Sequence, residues 1–218
     1  MMKKLFEIHK GQKGITGLET AIILISFVVV AAVFAYTVLS AGLFATQKSQ
    51  EAVYAGLKEA QGSLELRSGI VATANNTGAS GNVQQISFIV SNALGGEPMD
   101  FTASTANTSS NNGIANSGSS NKVIISYVDQ NQSVDDLYWT VTKLGSTDSD
   151  DLLEQDERFK ITIGNSAVGA GGGNLVDALG TDLTVSTEFS IIVSTPIGAV
   201  LELERTTPVY IDTIMNLR

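Results

Sequence analysis

The chain has no cysteine, and its single histidine, His9, lies close to its beginning. Without cysteine there is no disulfide, no thiolate metal ligand and no thiol nucleophile. If the segment before Ile15 is removed, His9 goes with it, and the rest of the chain then has no base for a Ser–His–Asp mechanism and no histidine ligand for zinc. The composition therefore predicts a protein that is not an enzyme and that carries no cofactor.

Basic residues are also scarce, with 13 Lys and Arg against 22 Asp and Glu in the whole chain. Four lysines fall before Ile15, where Glu7 is the only acid, so the rest of the chain is more acidic than the overall charge of −9 indicates. The net charge of that remainder is −12. Because such a surface repels phosphate backbones, nucleic acid is not expected as a partner.

Charge is absent between Glu19 and Lys48, a long stretch made mostly of Ala, Ile, Leu, Val and Phe. About 20 apolar residues suffice for a helix to cross a bilayer. The lysines before the run predict a cytoplasmic beginning and an outward body. An ordinary secretory signal has a shorter apolar segment and small residues after it. Here the small residue, Gly14, precedes a much longer run, so cutting at Gly14 would remove the charges and keep the apolar segment.

The junction Lys13-Gly14-Ile15, with Glu19 in the string GITGLETAI, resembles the class III signal peptides of type IV pilins and archaellins, the archaeal flagellins. The resemblance implies that a prepilin- or preflagellin-type signal peptidase removes a leader of residues 1–14. It also implies that Glu19 pairs with the new amine of Ile15 on a neighbouring copy, since an unpaired acid in an apolar helix is costly. The alternative, a simple signal anchor, would keep the leader.

The other end of the chain points to the same family. The string Pro196-Ile197-Gly198-Ala199, followed by Glu204-Arg205 and Pro208, resembles the C-terminal pattern of archaellins. This pattern favours an archaellin over an archaeal adhesion pilin, which would share only the beginning. In structural terms it predicts a turn, a final strand and an end terminated by proline.

Neither proline nor a turn cluster interrupts residues 15–67, which predicts one long helix. Val53, Leu57, Ala60 and Leu64 share a helical face that we expect to pack on the rest of the chain. The inner half is apolar on every side, and its small residues permit close approach of other helices. This segment therefore predicts membrane association before assembly and contact with other copies afterwards.

Residues 68–218 contain seven runs rich in Val, Ile, Thr, Tyr and Phe, which favour strands. These runs are residues 83–91, 99–104, 122–128, 137–144, 159–163, 183–194 and 199–204. The fold class is therefore predicted as α+β, a long N-terminal hydrophobic helix followed by an antiparallel immunoglobulin-like β-sandwich. Residues 69–81 and 102–121 are polar and predict solvent-facing loops. A short helix is predicted over residues 175–179.

The sequence of residues 68–218 contains candidates for two kinds of surface site. Asn75, Asn107 and Asn131 open N-x-S/T triplets, which predict glycosylation if the domain lies outside the cell. The carboxylates of Asp148, Asp150 and Asp151 are weak metal candidates, because leucines stand where a calcium loop needs a further ligand and a glycine. We therefore predict no metal site.

Together these features predict a structural subunit of the archaeal flagellum (archaellum) filament, and the swimming role is implied by the resemblance alone. The partners expected are other copies of the chain, or paralogous archaellins, in an extracellular filament. The precursor is expected in the cytoplasmic membrane. The alternative function is a type IV pilin-like adhesion filament.

Overall fold

The chain begins with one uninterrupted helix, α1, which runs from Met2 to Gln61. The structure is a computed structural model that describes residues 2–93, 97–107, 113–145, 148–164 and 173–217, with side chains described from residue 17 onward. At about 1.5 Å per residue, the 60 residues of α1 extend about 90 Å. The long helix predicted from the sequence is present, and its backbone also includes residues 2–14, the predicted leader.

The helix ends earlier than the predicted residue 67. The amide of Gly62 donates to the Lys58 carbonyl at 3.1 Å, and the Ser63 hydroxyl donates to the Glu59 carbonyl at 3.1 Å. Leu64–Leu66 then forms strand β1 and pairs with a strand of the body, which buries Leu64. The predicted helical face of residues 53, 57, 60 and 64 is thus wrong at its last member, because tertiary pairing takes Leu64 into a sheet.

Twelve strands and a second, short helix make up the rest of the structure that is described. In chain order they are β1 (Leu64–Leu66), β2 (Ile70–Asn76), β3 (Asn82–Asn92), β4 (Met99–Asp100), β5 (Ile124–Asp129), β6 (Ser133–Val134), β7 (Trp139–Leu144), β8 (Leu152–Leu153), β9 (Arg158–Ile163), α2 (Leu175–Ala178), β10 (Glu188–Ser194), β11 (Leu201–Thr206) and β12 (Ile214–Leu217). Each of the seven predicted strand regions overlaps one of these strands, whereas β1, β2, β6, β8 and β12 fall outside them. The short helix α2 confirms the one predicted from the sequence.

The strands form two main sheets and one ribbon, and every strand pair that the structure describes is antiparallel. The first sheet has the order β12-β2-β3-β9-β7, with β1 also paired to β3; the second has the order β11-β10-β5-β6, and β4 pairs with β8. Alternate residues of both sheets enter one hydrophobic core. The α+β class predicted from the sequence is confirmed.

Aromatic residues occupy the middle of this core. Phe101 makes edge contacts with Trp139 and Phe159, with ring centroids 6.1 and 6.0 Å apart. In the second sheet, Tyr127 stacks on Phe189 at 5.9 Å. All five side chains are buried. Such pairs add to the stability that burial of the rings supplies.

Two predicted features of the body are wrong. Residues 69–81 were expected to be a loop, but Ile70–Asn76 is a strand between β12 and β3. Its inward positions include Ala72 and Ala74, which are buried. Small residues are common in loops, so the sequence of this strand resembled that of a loop. The chain also does not end as a strand closed by Pro208, because β12 follows and pairs with β2.

The polar segment 102–121 is not simply solvent-facing at its described ends. The Ser104 hydroxyl donates to the Trp139 carbonyl at 3.2 Å and accepts from the Trp139 amide at 2.9 Å. Ala106 bridges Ala115, and Ile114 bridges Leu137. The segment therefore covers the edge of β7 through backbone and hydroxyl groups, which a polar composition does not reveal; residues 108–112 lie outside the described part.

The chain divides into two compact units. Met1–Tyr54 is helix alone where it is described, and Ala55–Arg218 contains the last turns of α1 and all the strands. The second unit is called the β-domain below.

Candidate functional site: an uncovered apolar helix

The described side chains of α1 leave its apolar surface open on every side. Gly17–Gln61 contains a window with mean hydropathy 2.8, and none of that window is buried, so by length and composition this helix could cross a membrane. Its exposed large hydrophobic residues have between 50% and 75% of their surface accessible. They are Leu18, Ile22, Ile23, Leu24, Ile25, Phe27, Val28, Val29, Val30, Val33, Phe34, Tyr36, Val38, Leu39, Leu43, Phe44, Val53, Tyr54 and Leu57.

The hydroxyl groups along this helix are turned back onto its own backbone. Thr20, Ser26, Thr37 and Thr46 each donate to a carbonyl three or four residues earlier, at 2.8–3.0 Å. In an apolar environment no water is present to accept hydrogen bonds from these hydroxyl groups, and the bonds to backbone carbonyls satisfy them instead. The first ion pair that the structure describes after the apolar run is Lys48–Glu51, at 2.6 Å. The helix is thus suited to apolar surroundings up to that point.

The predicted processing and assembly residues lie near the start of this helix. Lys13, Gly14 and Ile15 are within the backbone of α1, but their side chains lie outside the described part. Glu19 is exposed, and no partner is found for its carboxylate among the described residues. From Gly17 onward, where side chains are described, it is the only acidic residue of α1 before Glu51.

The three predicted glycosylation sites are not equivalent. Asn75 is exposed at the end of β2, and Asn131 is exposed in the turn between β5 and β6. Asn107 is half-buried and its backbone N–H donates to the Ile114 carbonyl at 3.0 Å, while residues 108 and 109 of its triplet lie outside the described part. Asn75 and Asn131 therefore offer the more accessible side chains.

The turn that carries Asn131 is held by a dense set of hydrogen bonds. The carboxylate of Asp129 accepts hydrogen bonds from the backbone N–H groups of Asn131 and Gln132. It also accepts from the Tyr127 hydroxyl, which lies 2.8 Å away. Burial pushes the pKa of Asp129 upward, but these bonds outweigh burial and hold it below its ordinary value of 3.8. Burial, the bond to Asp129 and its charge raise the pKa of Tyr127. Asn131 is therefore presented on a rigid turn.

The acidic run does not gather its carboxylates around a common point. Asp148 accepts the Asp150 amide, Asp150 accepts the Leu152 amide, and Asp151 pairs with Lys143 at 3.2 Å. Within the described ranges, no three acidic or histidine side chains are grouped so that they could hold a metal ion. Asp148, Asp150 and Asp151 therefore act as turn and ion-pair residues in this structure.

One arrangement in the β-domain was missed by sequence reasoning. Gly198 has φ +114°, and a Cβ atom there would overlap the backbone carbonyl of Gly62 and approach the Ser63 nitrogen to 2.9 Å. A Cβ on Gly62 would likewise overlap the Ile197 carbonyl. These two glycines let the hairpin between β10 and β11 meet the end of α1 backbone to backbone. A lone glycine directly after a long helix was the available signal.

Comparison with known proteins identifies the family. A sequence profile described as archaeal-type flagellin matches residues 14–205. Probable flagellin 1 of Archaeoglobus fulgidus is 37% identical over 213 residues, which is 95% of this chain and 96% of that protein. The chain belongs to the archaeal-type flagellins.

Solved structures agree with this archaellin assignment. The archaeal flagellum of Methanospirillum hungatei strain JF1 matches with a TM-score of 0.52 and 28% identity, over 92% of this chain and 98% of that chain. A crystal structure of archaeal flagellin FlaB1 from Methanocaldococcus jannaschii shares the fold, with a TM-score of 0.51 and 11% identity over 71% of this chain and 95% of that one. This archaellin is thus a structural subunit that polymerises into the archaellum filament, as the sequence predicted, rather than an adhesion pilin.

Proposed function

We propose that this archaellin is made as a membrane-held precursor, cut after Gly14, and assembled through α1 into the core of an extracellular filament. The observation that carries the proposal is the open apolar surface of α1. Burying one large aliphatic or aromatic side chain contributes about 1.5–3 kcal/mol. A helix with this many uncovered side chains is stable in lipid or among other helices, but not alone in water. The β-domains would then form the outer wall.

The leader supplies the other half of the proposal. Lys3, Lys4, Lys10 and Lys13 would hold the start of the precursor at the cytoplasmic face, since basic residues stay on that side. A prepilin- or preflagellin-type signal peptidase would then cut between Gly14 and Ile15. Cleavage removes these charges, so that α1 can leave the cytoplasmic membrane and enter the filament.

The direct test is the first residue of the protein purified from filaments. We expect Ile15, and a retained Met1 or Met2 contradicts the proposal. The variant Gly14→Val should keep its leader, because the peptidase site requires a small residue there. Gly11→Val is the matched control within the same leader and should be cut normally. Intact mass distinguishes the two forms of each variant.

Glu19 would pair with the amine that cleavage creates on Ile15 of a neighbouring copy. A carboxylate among apolar helices is costly by a few kcal/mol unless it is paired. We therefore expect Glu19→Ala to be processed normally but to form few filaments, whereas Thr20→Ala, its neighbour, should assemble. Electron microscopy of cell surfaces gives the filament yield. Normal filament yield from Glu19→Ala would refute the pairing.

Two further features belong to this proposal. The mature chain would contain neither cysteine nor histidine, so we assign it a structural role without catalysis. Glycans would be attached at Asn75 and Asn131, whose side chains are exposed, and less readily at Asn107. Glycopeptide mass spectrometry should show modification at the first two positions, and unmodified Asn75 and Asn131 would contradict this assignment.

A further inference from the structure

An open groove lies in the β-domain where the last turn of α1 meets the strands. One wall is formed by Lys58 and Gln61 of α1, and another by Pro196 and Ile197 of the hairpin between β10 and β11. Pro98 and Met99 also line it. The groove encloses about 200 Å³ and its lining is mostly apolar. It is therefore a small apolar recess whose wall is partly the helix itself.

The helix and the hairpin that line the groove also carry exposed apolar residues. Ile197 is 43% exposed and Val200 is 58% exposed, both in the hairpin that forms one wall. Leu57 of α1 is half exposed, one residue before the groove-lining Lys58. Exposed apolar residues that gather in one place commonly mark an interaction surface. Here Ile197 lines the recess itself, and Val200 and Leu57 are close in sequence to residues that line it.

The size of the groove favours protein side chains over a small ligand. Pockets that enclose drug-sized ligands hold about 300–1,000 Å³, and this recess is smaller and open. Its shape is also preformed. The backbone contact between Gly62 and Gly198 holds the hairpin against the end of α1, because neither position has room for a Cβ atom. A rigid apolar recess of this size fits a few aliphatic or aromatic side chains of a helix.

The distribution of charge around the groove favours a second copy of this chain as the partner that binds there. The part of the chain after Gly14 carries a net charge of −12, so two copies repel each other over most of their surface. The groove differs, because Lys58 and Lys122 are balanced there by Glu97 and Asp100. Identical acidic subunits meet at least electrostatic cost where local charge is balanced and the surface is apolar.

We propose that this groove receives the apolar helix α1 of a second copy in the filament. This inference rests on the proposed function, in which the helices form the core. The end of α1 forms one wall of the groove. A helix of a second copy that packs along α1 would therefore reach this recess where α1 ends. The contact joins two different surfaces, helix and groove, and such contacts generate open helical polymers when they do not close into a ring.

The absence of cysteine in the natural chain allows a direct accessibility test. Ile197→Cys places the only thiol on the groove wall, and Thr206→Cys places it at the exposed far end of the same hairpin. Maleimide labelling is compared between intact filaments and detergent-solubilised subunits. We expect assembly to slow labelling at position 197 roughly tenfold or more, and at position 206 by less than about twofold, because thiol reactivity follows exposure. Similar protection at both positions, or none at 197, overturns the proposal.

A second experiment identifies what covers the groove. A photoreactive benzoylphenylalanine at position 197 is incorporated into the full chain, and assembled filaments are irradiated. We expect cross-linked dimers whose partner peptide lies within residues 17–57 of another subunit. Partner peptides from the strands, a lipid or a different protein, or the absence of cross-links, would overturn it.

The two proposals fail in distinguishable ways. If purified filaments retain the leader, or if Phe34→Asp leaves assembly unchanged, the proposed core role of α1 is wrong. If the mature protein begins at Ile15 and Phe34→Asp abolishes filaments, but position 197 remains accessible and does not cross-link to α1, only the groove proposal is wrong.

Discussion

Replacing Gly198 with alanine tests the backbone contact that holds the hairpin between β10 and β11 against the end of α1. The added Cβ atom meets two constraints at once. The φ of +114° is one that residues with a side chain rarely adopt, and the space is already occupied by the carbonyl of Gly62. Rotating a side chain can relieve neither the φ angle nor the overlap with a backbone carbonyl, so the backbone itself must move.

The loss of folding free energy expected for Gly198→Ala has two contributions, backbone strain and atomic overlap, and a matched control variant separates them. Backbone strain at a positive φ costs about 1–3 kcal/mol, and overpacking adds about 1–3 kcal/mol. Gly78 has a φ of +117°, but no atom lies within 4 Å of the position a Cβ would take. Gly78→Ala therefore measures strain alone, and the excess cost of Gly198→Ala measures overlap. We expect a total of about 2–6 kcal/mol for Gly198→Ala.

The chain provides its own probe for this measurement. Trp139 is the only tryptophan and is fully buried in the β-domain, so its fluorescence reports the unfolding of that unit. For a domain of this size we expect Gly198→Ala to lower the Tm of the full chain by roughly 5–15 °C. Gly118→Ala, which has no close contact and no positive φ, should change the Tm little. If Gly198→Ala costs no more than Gly78→Ala, the argument for a close backbone contact is refuted.

Three further predictions concern the interior and the charged groups of the β-domain. Phe101→Ala removes a fully buried ring that contacts Trp139, and should lower the free energy of unfolding by about 3–5 kcal/mol in denaturant titrations; a loss below about 1 kcal/mol would contradict its central packing. Asp129 has a lowered pKa, so it stabilises the fold above its ordinary value of 3.8, and this contribution is lost as the pH falls through the folded pKa. Asp129→Asn should therefore lower the Tm at pH 7 and less so under acid conditions, and an equal Tm difference at both pH values would refute the assignment. The pKa of Glu188 is raised by its hydrogen bond to Glu204, by the charge of Glu204 and by burial, in that order, so its stabilising contribution is present below 4.5 and lost as the pH rises. Glu188→Gln should consequently raise the Tm at pH 7 more than at pH 4, and the opposite order would contradict this.

The long helix could be predicted because its signal is local and repeated. A long uncharged run with no proline specifies a helix and its preference for apolar surroundings without reference to any other part of the chain. The same reasoning found the regions of seven strands, among them Trp139–Leu144, where apolar and polar residues alternate. It failed at Ile70–Asn76, where alanines occupy the buried positions and the pattern is weak.

The candidate sites differ in how much of each could be predicted from the sequence and how much depends on the fold. The N-x-S/T triplets are visible in the sequence, but the exposure that separates Asn75 and Asn131 from Asn107 is a property of the fold. The acidic run could be identified from composition, whereas its division among turn amides and Lys143 could not. Side-chain hydrogen bonds over short distances compete with ligand binding, and only coordinates show which of the two a carboxylate makes.

The sequence by itself determined the family, the uncovered helix and the class of the fold, because each follows from the order of residues along a short stretch of chain. Only the tertiary structure decided where the helix stops and what lies beside its end. Leu64 leaves the helical pattern because β3, a later strand, offers it a paired and buried position opposite Asn92. Gly62 and Gly198 meet although one follows the first helix and the other lies near the end of the chain. Contacts between such distant residues depend on how the whole chain packs, and no local pattern encodes them.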